Sequence, residues 1–294
     1  MIITGAHTLT SPLTACWNER AMATTFQAGG PGRERQVQAM FSAIAPRYDL
    51  NNTLLSFGLH HRWKRAAIGA AALKPGHRLL DLCAGTGDLA FLAARRVGGN
   101  GLVIASDLNR AMLEVGRRRA KRLGLDRTVR FIQGHAESIQ LADRSVDAVT
   151  VAFGIRNVDH PERAFAEMFR VLIPGGCLVC LEFSRPVSGW LRRCYDFYSS
   201  TLLPLIGTTV ARDRTGVYHY LPASIREFPD QARLAAIIEA AGFSPVRYTN
   251  LTGGIVAIHM GVSPAETTAP SPTSPPPRER GKEEPSVLIG SRSS

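Results

Sequence analysis

Leu80-Asp81-Leu82-Cys83-Ala84-Gly85-Thr86-Gly87-Asp88 joins an apolar, strand-like run to a helix-like one. The small residues at 83, 84, 85 and 87 let a backbone turn pass close to a ligand that bulkier side chains would keep away. Asp107 ends the next apolar run, about twenty residues after Thr86, the spacing at which a second-strand carboxylate reaches ribose hydroxyls in a doubly wound sheet. The turn therefore points to a nucleoside-bearing cofactor without saying which one.

Around this turn, apolar runs alternate with amphipathic segments. Strands are expected at Arg78–Cys83, Leu102–Asp107, Val129–Gln133, Asp147–Phe153 and Cys177–Phe183, and helices at Asp88–Val97, Ala111–Leu123 and Glu162–Leu172. Leu172-Ile173-Pro174-Gly175-Gly176 closes the last helix and turns the chain into the next strand. Such alternation implies a parallel sheet with right-handed crossovers and a ligand at the carboxyl ends of the strands. A long segment, 185–228, follows, then a helix near Asp230–Ala241 and strands near Val246–Leu251 and Gly254–Met260, parted by the turn at Thr252-Gly253. The expected fold is α/β: a Rossmann-like, doubly wound, seven-stranded sheet whose last strand is antiparallel, the order found in S-adenosylmethionine-dependent methyltransferases.

Bulk properties set the limits. The 294 residues hold one sizeable α/β domain with accessories, and 45% hydrophobic residues suit a globular chain. No run approaches the ~18 apolar residues of a membrane span, and residues 1–30 lack the pattern of a secretory signal. Residues 1–32 read as an N-terminal extension without order, 33–261 as the folded domain, and 262–294 as a disordered Pro- and Ser-rich tail. Similarity to a known domain pattern begins only near Arg33–Phe41, which leaves Met22 and Met40 as alternative starts. Cys177 and Cys180 face opposite sides of a strand and do not share a metal; with the other cysteines they read as reduced core thiols of a cytoplasmic protein. The net charge of +11 includes Arg117-Arg118-Arg119-Ala120-Lys121-Arg122, a solvated helix face or an attraction to an anionic membrane surface. No aromatic residue interleaves with that run, so nucleic acid is not expected as a partner.

The glycine turn is degenerate. A dinucleotide fingerprint wants a third glycine near the helix start, where Asp88 and Leu89 stand. A carboxylate there is awkward for a pyrophosphate but harmless to a sulfonium and an amino group, which favours a methyltransferase over a dehydrogenase. Asp107 serves equally as a cap for the helix that follows. His135-Ala136-Glu137 follows the third strand, where backbone amides rather than the imidazole are expected to meet an adenine.

Four stretches make the resemblance specific. They are Phe41-Ser42-Ala43-Ile44-Ala45-Pro46-Arg47-Tyr48-Asp49 with Ser56-Phe57-Gly58-Leu59-His60 and Trp63-Lys64-Arg65; the glycine turn; Phe153-Gly154-Ile155-Arg156-Asn157-Val158 with Leu181-Glu182-Phe183-Ser184; and Tyr220-Leu221-Pro222 through Asp230, then Asn250-Leu251-Thr252-Gly253-Gly254. Together they resemble the quinone-biosynthesis C-methyltransferases, the menaquinone and ubiquinone methyltransferase family, over roughly residues 35–261. The resemblance implies S-adenosylmethionine as cofactor, contacted at Thr86, Asp107, His135 and Ala136, with Asp81, Gly85 and Gly87 forming the turn. Cys83 replaces the first glycine of the family loop, and Ala152 stands where many relatives carry serine.

The same resemblance implies a polyprenylated quinol as the methyl acceptor. Demethylmenaquinol is the first choice, the benzoquinol intermediate of ubiquinone synthesis the second, and one enzyme taking both a third. Arg156 is then expected to stabilise the developing phenolate and Asn157 to orient it, although Arg156 pairs equally well with Asp88 or Glu182 as a structural residue. Tyr48 closes over the methionine end, lines the quinol site, or packs in the core. Trp190–Ile206 reads either as helix packing or as an apolar lid touching a membrane and accepting the prenyl tail. An RNA or small-molecule methyltransferase is the alternative of a different class, a homo-oligomer is left open, and no metal is expected.

Overall fold

The computed structural model describes residues 32–202 and 217–265. Expectations for residues 1–31, for the tail beyond 265 and for residues 203–206 lie outside the described residues. In chain order the elements are α1 (Arg33–Ile44), α2 (Tyr48–Leu55), α3 (Leu59–Ala70), β1 (Arg78–Leu82), α4 (Asp88–Val97), β2 (Leu102–Asp107), α5 (Arg110–Leu123), β3 (Val129–Gln133) and β4 (Val146–Ala152). They continue as α6 (Pro161–Val171), β5 (Leu172–Phe183), α7 (Gly189–Phe197), α8 (Val217–Glu227), α9 (Gln231–Ala240), β6 (Val246–Leu251) and β7 (Val256–Val262).

The sheet has seven strands in the order β3-β2-β1-β4-β5-β7-β6, with β7 antiparallel to both of its neighbours. Strand order reverses between β1 and β4, so the loops at their carboxyl ends diverge and leave a crevice. Alternation along β1 separates two buried layers. Leu80 and Leu82 face Phe165 and Met168 of α6, whereas Leu79 packs with Leu89 and Ala93 of α4. A third cluster lays Trp63 and Ala67 of α3 against Val179 and Leu181 of β5 and Ile258 of β7.

Local chemistry sets the ends of the elements. Asn109 caps α5 by accepting the Met112 N–H at 3.0 Å, and Asp230 caps α9 through the Arg233 N–H. At Gly87, which precedes α4 with φ 90°, an added Cβ would lie 2.8 Å from the Phe131 ring. The left-handed turn and the contact with Phe131 both require glycine there.

The structure departs from the sequence reading in two places. Residues 172–176 do not simply turn the chain: Leu172 already pairs with Val146, and the next partners on β4 and β5 are Ala148 and Cys177. The intervening Pro174-Gly175-Gly176 bulges out, and the polar groups of its two glycines bond Ser263 across the sheet. The sheet also extends to Val262, which pairs with Cys177, one residue into the expected tail. No helix among the described residues is long and apolar enough to cross a membrane.

Candidate active site

Two cavities meet at the carboxyl ends of β1, β2 and β4. The first is lined by Cys83, Gly85, Asp107, His135, Ala136 and Asn157, among others. Asp107 is half-buried: Oδ2 accepts the Gly85 N–H at 2.8 Å and Oδ1 the Asn109 N–H at 2.7 Å. Burial pushes its carboxyl up, and these backbone N–H groups oppose the shift. The carboxylate is therefore fixed in place, its remaining lone pairs free to receive hydroxyls.

His135 is also fixed. Its Nδ1 accepts the Glu137 N–H at 3.1 Å, so the proton sits on Nε2, which faces Glu34 at 3.1 Å. That leaves no lone pair to take a proton from a substrate. Three carboxylates, Glu34, Asp107 and Asp159, line this cavity, and among the described residues no lysine or arginine does, although Arg33 reaches Asp159 at 3.5 Å from outside the wall. Such a wall repels a pyrophosphate and suits a ligand carrying a sulfonium and an ammonium, so the residues fit S-adenosylmethionine.

The acidic character anticipated from Asp88 is thus real, but it comes from other residues. Asp88 lies outside the cavity wall, held by Lys64 Nζ at 2.7 Å and Arg119 Nη2 at 2.8 Å. Burial works against its charge, yet Lys64 and then Arg119 outweigh that cost and hold its carboxyl far below the usual range. Thr86, Gly87 and Asp81 are not among the lining residues either. The Thr86 hydroxyl donates to Asp49 Oδ1 at 2.6 Å and receives Arg119 Nη1 at 3.0 Å.

Backbone strain gathers at the crevice. Cys83 (φ 52°) and Phe153 (φ 55°) are both left-handed without being glycine, and they leave adjacent strands β1 and β4. They fit together because Gly154 carries no side chain: a Cβ there would lie 2.2 Å from that of Cys83.

The second cavity, about 330 Å³, is apolar and aromatic, with Trp63, Phe183, Leu191 and Tyr195 in its wall. Phe41, Tyr48 and Phe153 line both cavities and form the partition between them. Arg156 reaches the second cavity from the turn after β4, nearly buried, with its guanidinium 5.4 Å from the centre of the Phe183 ring. Its partner is Glu182 and not Asp88: Nη1 lies 2.9 Å from Oε1 and also donates to the Phe153 carbonyl. Asn157 faces the first cavity, and its Oδ1 accepts the Tyr220 hydroxyl at 2.8 Å.

Of the residues singled out from sequence, Tyr48, Gly85, Asp107, His135, Ala136, Arg156 and Asn157 converge here, while Thr86, Gly87 and Asp81 lie outside both cavity walls. Sequence reasoning missed Arg119, read as part of a solvated face. Its signal was the helical period, since Arg119 follows Gly116 by three on the buried stripe Met112, Gly116, Ala120.

A profile of the ubiE/COQ5 methyltransferase family matches residues 31–263. The ubiquinone/menaquinone biosynthesis C-methyltransferase UbiE of Idiomarina loihiensis is 43% identical over 245 residues, 83% of this chain and 97% of the relative. The protein of the same name from Photorhabdus laumondii is 47% identical over 225 residues, 76% of this chain and 89% of the relative. A solved SAM-dependent methyltransferase from Aquifex aeolicus shares the fold, with a TM-score of 0.51 at 20% identity over 68% of this chain and 89% of that one. With this match along the domain and a cavity suited to a sulfonium donor, the chain belongs to the ubiE/COQ5 methyltransferase family and takes S-adenosylmethionine as its methyl donor.

Proposed function

We propose that the enzyme methylates a ring carbon of a polyprenylated quinol, with demethylmenaquinol to menaquinol the first assignment and the methoxy-benzoquinol of ubiquinone synthesis the second. The observation that carries this reading is the apolar, aromatic cavity set against the donor cavity across three rings, with a buried arginine in its wall. When bound, the donor supplies an electrophilic methyl whose departing sulfur keeps the C–S electron pair. The protein's task is to hold a nucleophilic carbon in line and to favour negative charge on the neighbouring ring oxygen.

Arg156 supplies the positive charge that stabilises it. Glu182 occupies Nη1 and fixes the guanidinium plane, which leaves the Nε–H without a partner among the described residues. Tyr48 and Phe153, in the shared wall, exclude water from the line of transfer. The relatives' names cover both quinones, and nothing in the cavity's apolar lining separates a naphthoquinol from a benzoquinol. The prenyl tail is read as leaving past Phe57, which lines the cavity, is 78% exposed and has its ring centre 6.3 Å from that of Tyr198, the residue after α7, a helix that exposes Trp190 and Phe197. With the net charge of +11 this rim suits an anionic membrane surface.

The test is methyl transfer to short-chain demethylnaphthoquinol and methoxybenzoquinol, paired with quinone profiling of a strain lacking the gene. We expect Arg156→Ala to lose at least about 100-fold in kcat, in line with removal of one charge-stabilising donor, with donor affinity near normal. Full activity of that variant would remove Arg156 from the chemistry. Methylation of an RNA or a small polar acceptor in place of either quinol would overturn the reading.

A further inference from the structure

Helix α7 turns one stripe toward the acceptor cavity. Leu191, Cys194, Tyr195 and, just past the end of the helix, Tyr198 line that cavity, spaced as neighbours on one helical face. Trp190, Arg193 and Phe197 lie outside the wall and are exposed. Tyr195, in the middle of the stripe, therefore directs its side chain at the cavity.

Four tyrosines stand in this wall, and their hydroxyls differ. Tyr198 donates to the Leu55 carbonyl at 2.6 Å and Tyr220 to Asn157 Oδ1 at 2.8 Å. The hydroxyls of Tyr48 and Tyr195 have no hydrogen-bond partner among the described residues. Neither belongs to the five partnerless side-chain atoms sealed off from solvent, so both oxygens are accessible. Tyr48 stands in the partition, whereas Tyr195 lines the acceptor cavity alone. Arg156 has the same property at one atom. Its Nη1 is taken by Glu182 and the Phe153 carbonyl and its Nε is sealed, but Nη2 has no partner among the described residues and is accessible. Arg156 also lines the acceptor cavity and not the donor cavity.

The fold thus leaves two reachable donors in one apolar cavity, a guanidinium N–H and a phenol O–H. Burial pushes the Tyr195 phenol up; Arg156 is the foremost charge opposing that rise, and Glu182 adds to it. The phenol consequently keeps its proton and can donate it in a hydrogen bond. Packing alone gives no reason for the hydroxyl, since phenylalanine fills the same place and a polar group in an apolar wall is costly until a ligand completes it. One charged and one neutral donor suit an oxygen on which negative charge grows. Resting on the quinol reading above, we propose that Tyr195 donates its hydroxyl to the ring oxygen that Arg156 Nη2 meets, so that the two form an oxyanion site for methyl transfer. The acceptor reacts as its monoanion, having released one proton to water. Its ring carbon bonds the methyl while the departing sulfur keeps the C–S electron pair, and the proton on that carbon then passes to the ring oxygen. Tyr195 holds the oxygen throughout and exchanges no proton with it.

The experiment uses the full chain and a series of short-prenyl demethylnaphthoquinols, kept reduced, whose ring hydroxyls differ in acidity. The readout is the ratio of wild-type to Tyr195→Phe kcat for each acceptor. For the least acidic ring the variant is expected to lose about 10- to 100-fold, at or below the usual cost of one oxyanion donor because Arg156 remains. The ratio then shrinks toward one as the ring becomes more acidic, since a weaker base gains less from the donor. The donor Kd, measured by calorimetry, stays unchanged. A packing role would give one ratio for every acceptor; that result, or full activity of the variant, overturns the proposal. Should the phenylalanine variant not fold, fluorotyrosine placed at position 195, a stronger donor of the same shape, is expected to raise kcat for the least acidic ring, and an unchanged kcat overturns the proposal. A wild type that methylates quinols with a flat ratio loses Tyr195's role alone. One that methylates no quinol overturns the acceptor reading, and Tyr195's role with it.

Discussion

Asp81 occupies the acidic position of the glycine turn, yet strand alternation turns its side chain away from the donor cavity. Leu80 and Leu82 face α6, so Asp81 shares the α4 side of β1 with Leu79, and it is 1% exposed. The Thr150 hydroxyl donates to Oδ1 at 2.7 Å, while Oδ2 has no partner among the described residues. Burial pushes the carboxyl up to about 7, with the Thr150 bond and Lys64 opposing. Because the folded pKa lies above the unfolded value, the folded state binds the extra proton between about pH 4 and 7. Stability from this group is therefore fully present below pH 4, falls as pH rises to 7, and is flat above. Asp81→Asn should gain on wild type across that window by roughly 1–4 kcal/mol. Denaturant unfolding of both proteins at pH 4.5 and pH 8 measures it; a difference that does not change with pH would contradict the assignment.

At the scale of elements, one chain of charge ties the N-terminal helices to the glycine turn. Asp49 of α2 meets Thr86 and Arg119, Arg119 of α5 meets Asp88, and Asp88 at the start of α4 meets Lys64 of α3. Tyr48, the neighbour of Asp49, stands in the wall of both cavities. Arg119→Ala should therefore loosen α2 and raise the donor Kd and the acceptor KM together, each by about tenfold. It should also cost about 1–2 kcal/mol of stability, the low end for charged hydrogen bonds because Arg119 is 22% exposed. Calorimetric titration of the donor decides it: an unchanged Kd would reduce this network to a packing role. The alternation of strands and helices, and the residues placed by the turns after β1, β2 and β4, were legible because period and glycine spacing are local properties. Arg119 was legible in principle from the stripe on α5. The bulge at Pro174–Gly176 and the left-handed Cys83 and Phe153 were not, since each depends on a neighbouring strand or loop that no local pattern announces. The pairing of Arg156 with Glu182 rather than Asp88 likewise depends on β4 and β5 lying side by side.

For the molecule as a whole, charge and exposed apolar surface make one expectation. Phe57 packs near Tyr198 with ring centres 6.3 Å apart, and Tyr198 donates to the Leu55 carbonyl, so the loop after α2 and the residues after α7 form one rim of the acceptor cavity. In vesicle flotation at low salt the protein should rise with anionic vesicles and stay behind with neutral ones, and Phe57→Ser with Trp190→Ser should lower the bound fraction severalfold. Absence of binding to anionic vesicles would end the membrane reading. The partition of Phe41, Tyr48 and Phe153 carries a different consequence. Among the described residues the two cavities share these three rings and no other lining residue. Each half can therefore be rewritten separately: substitutions around Trp63 and Leu191 can retune which ring is accepted, while the Asp107 side continues to hold the same donor. A chain built this way offers protein engineers, and gene duplication before them, a change of product without a change of reagent.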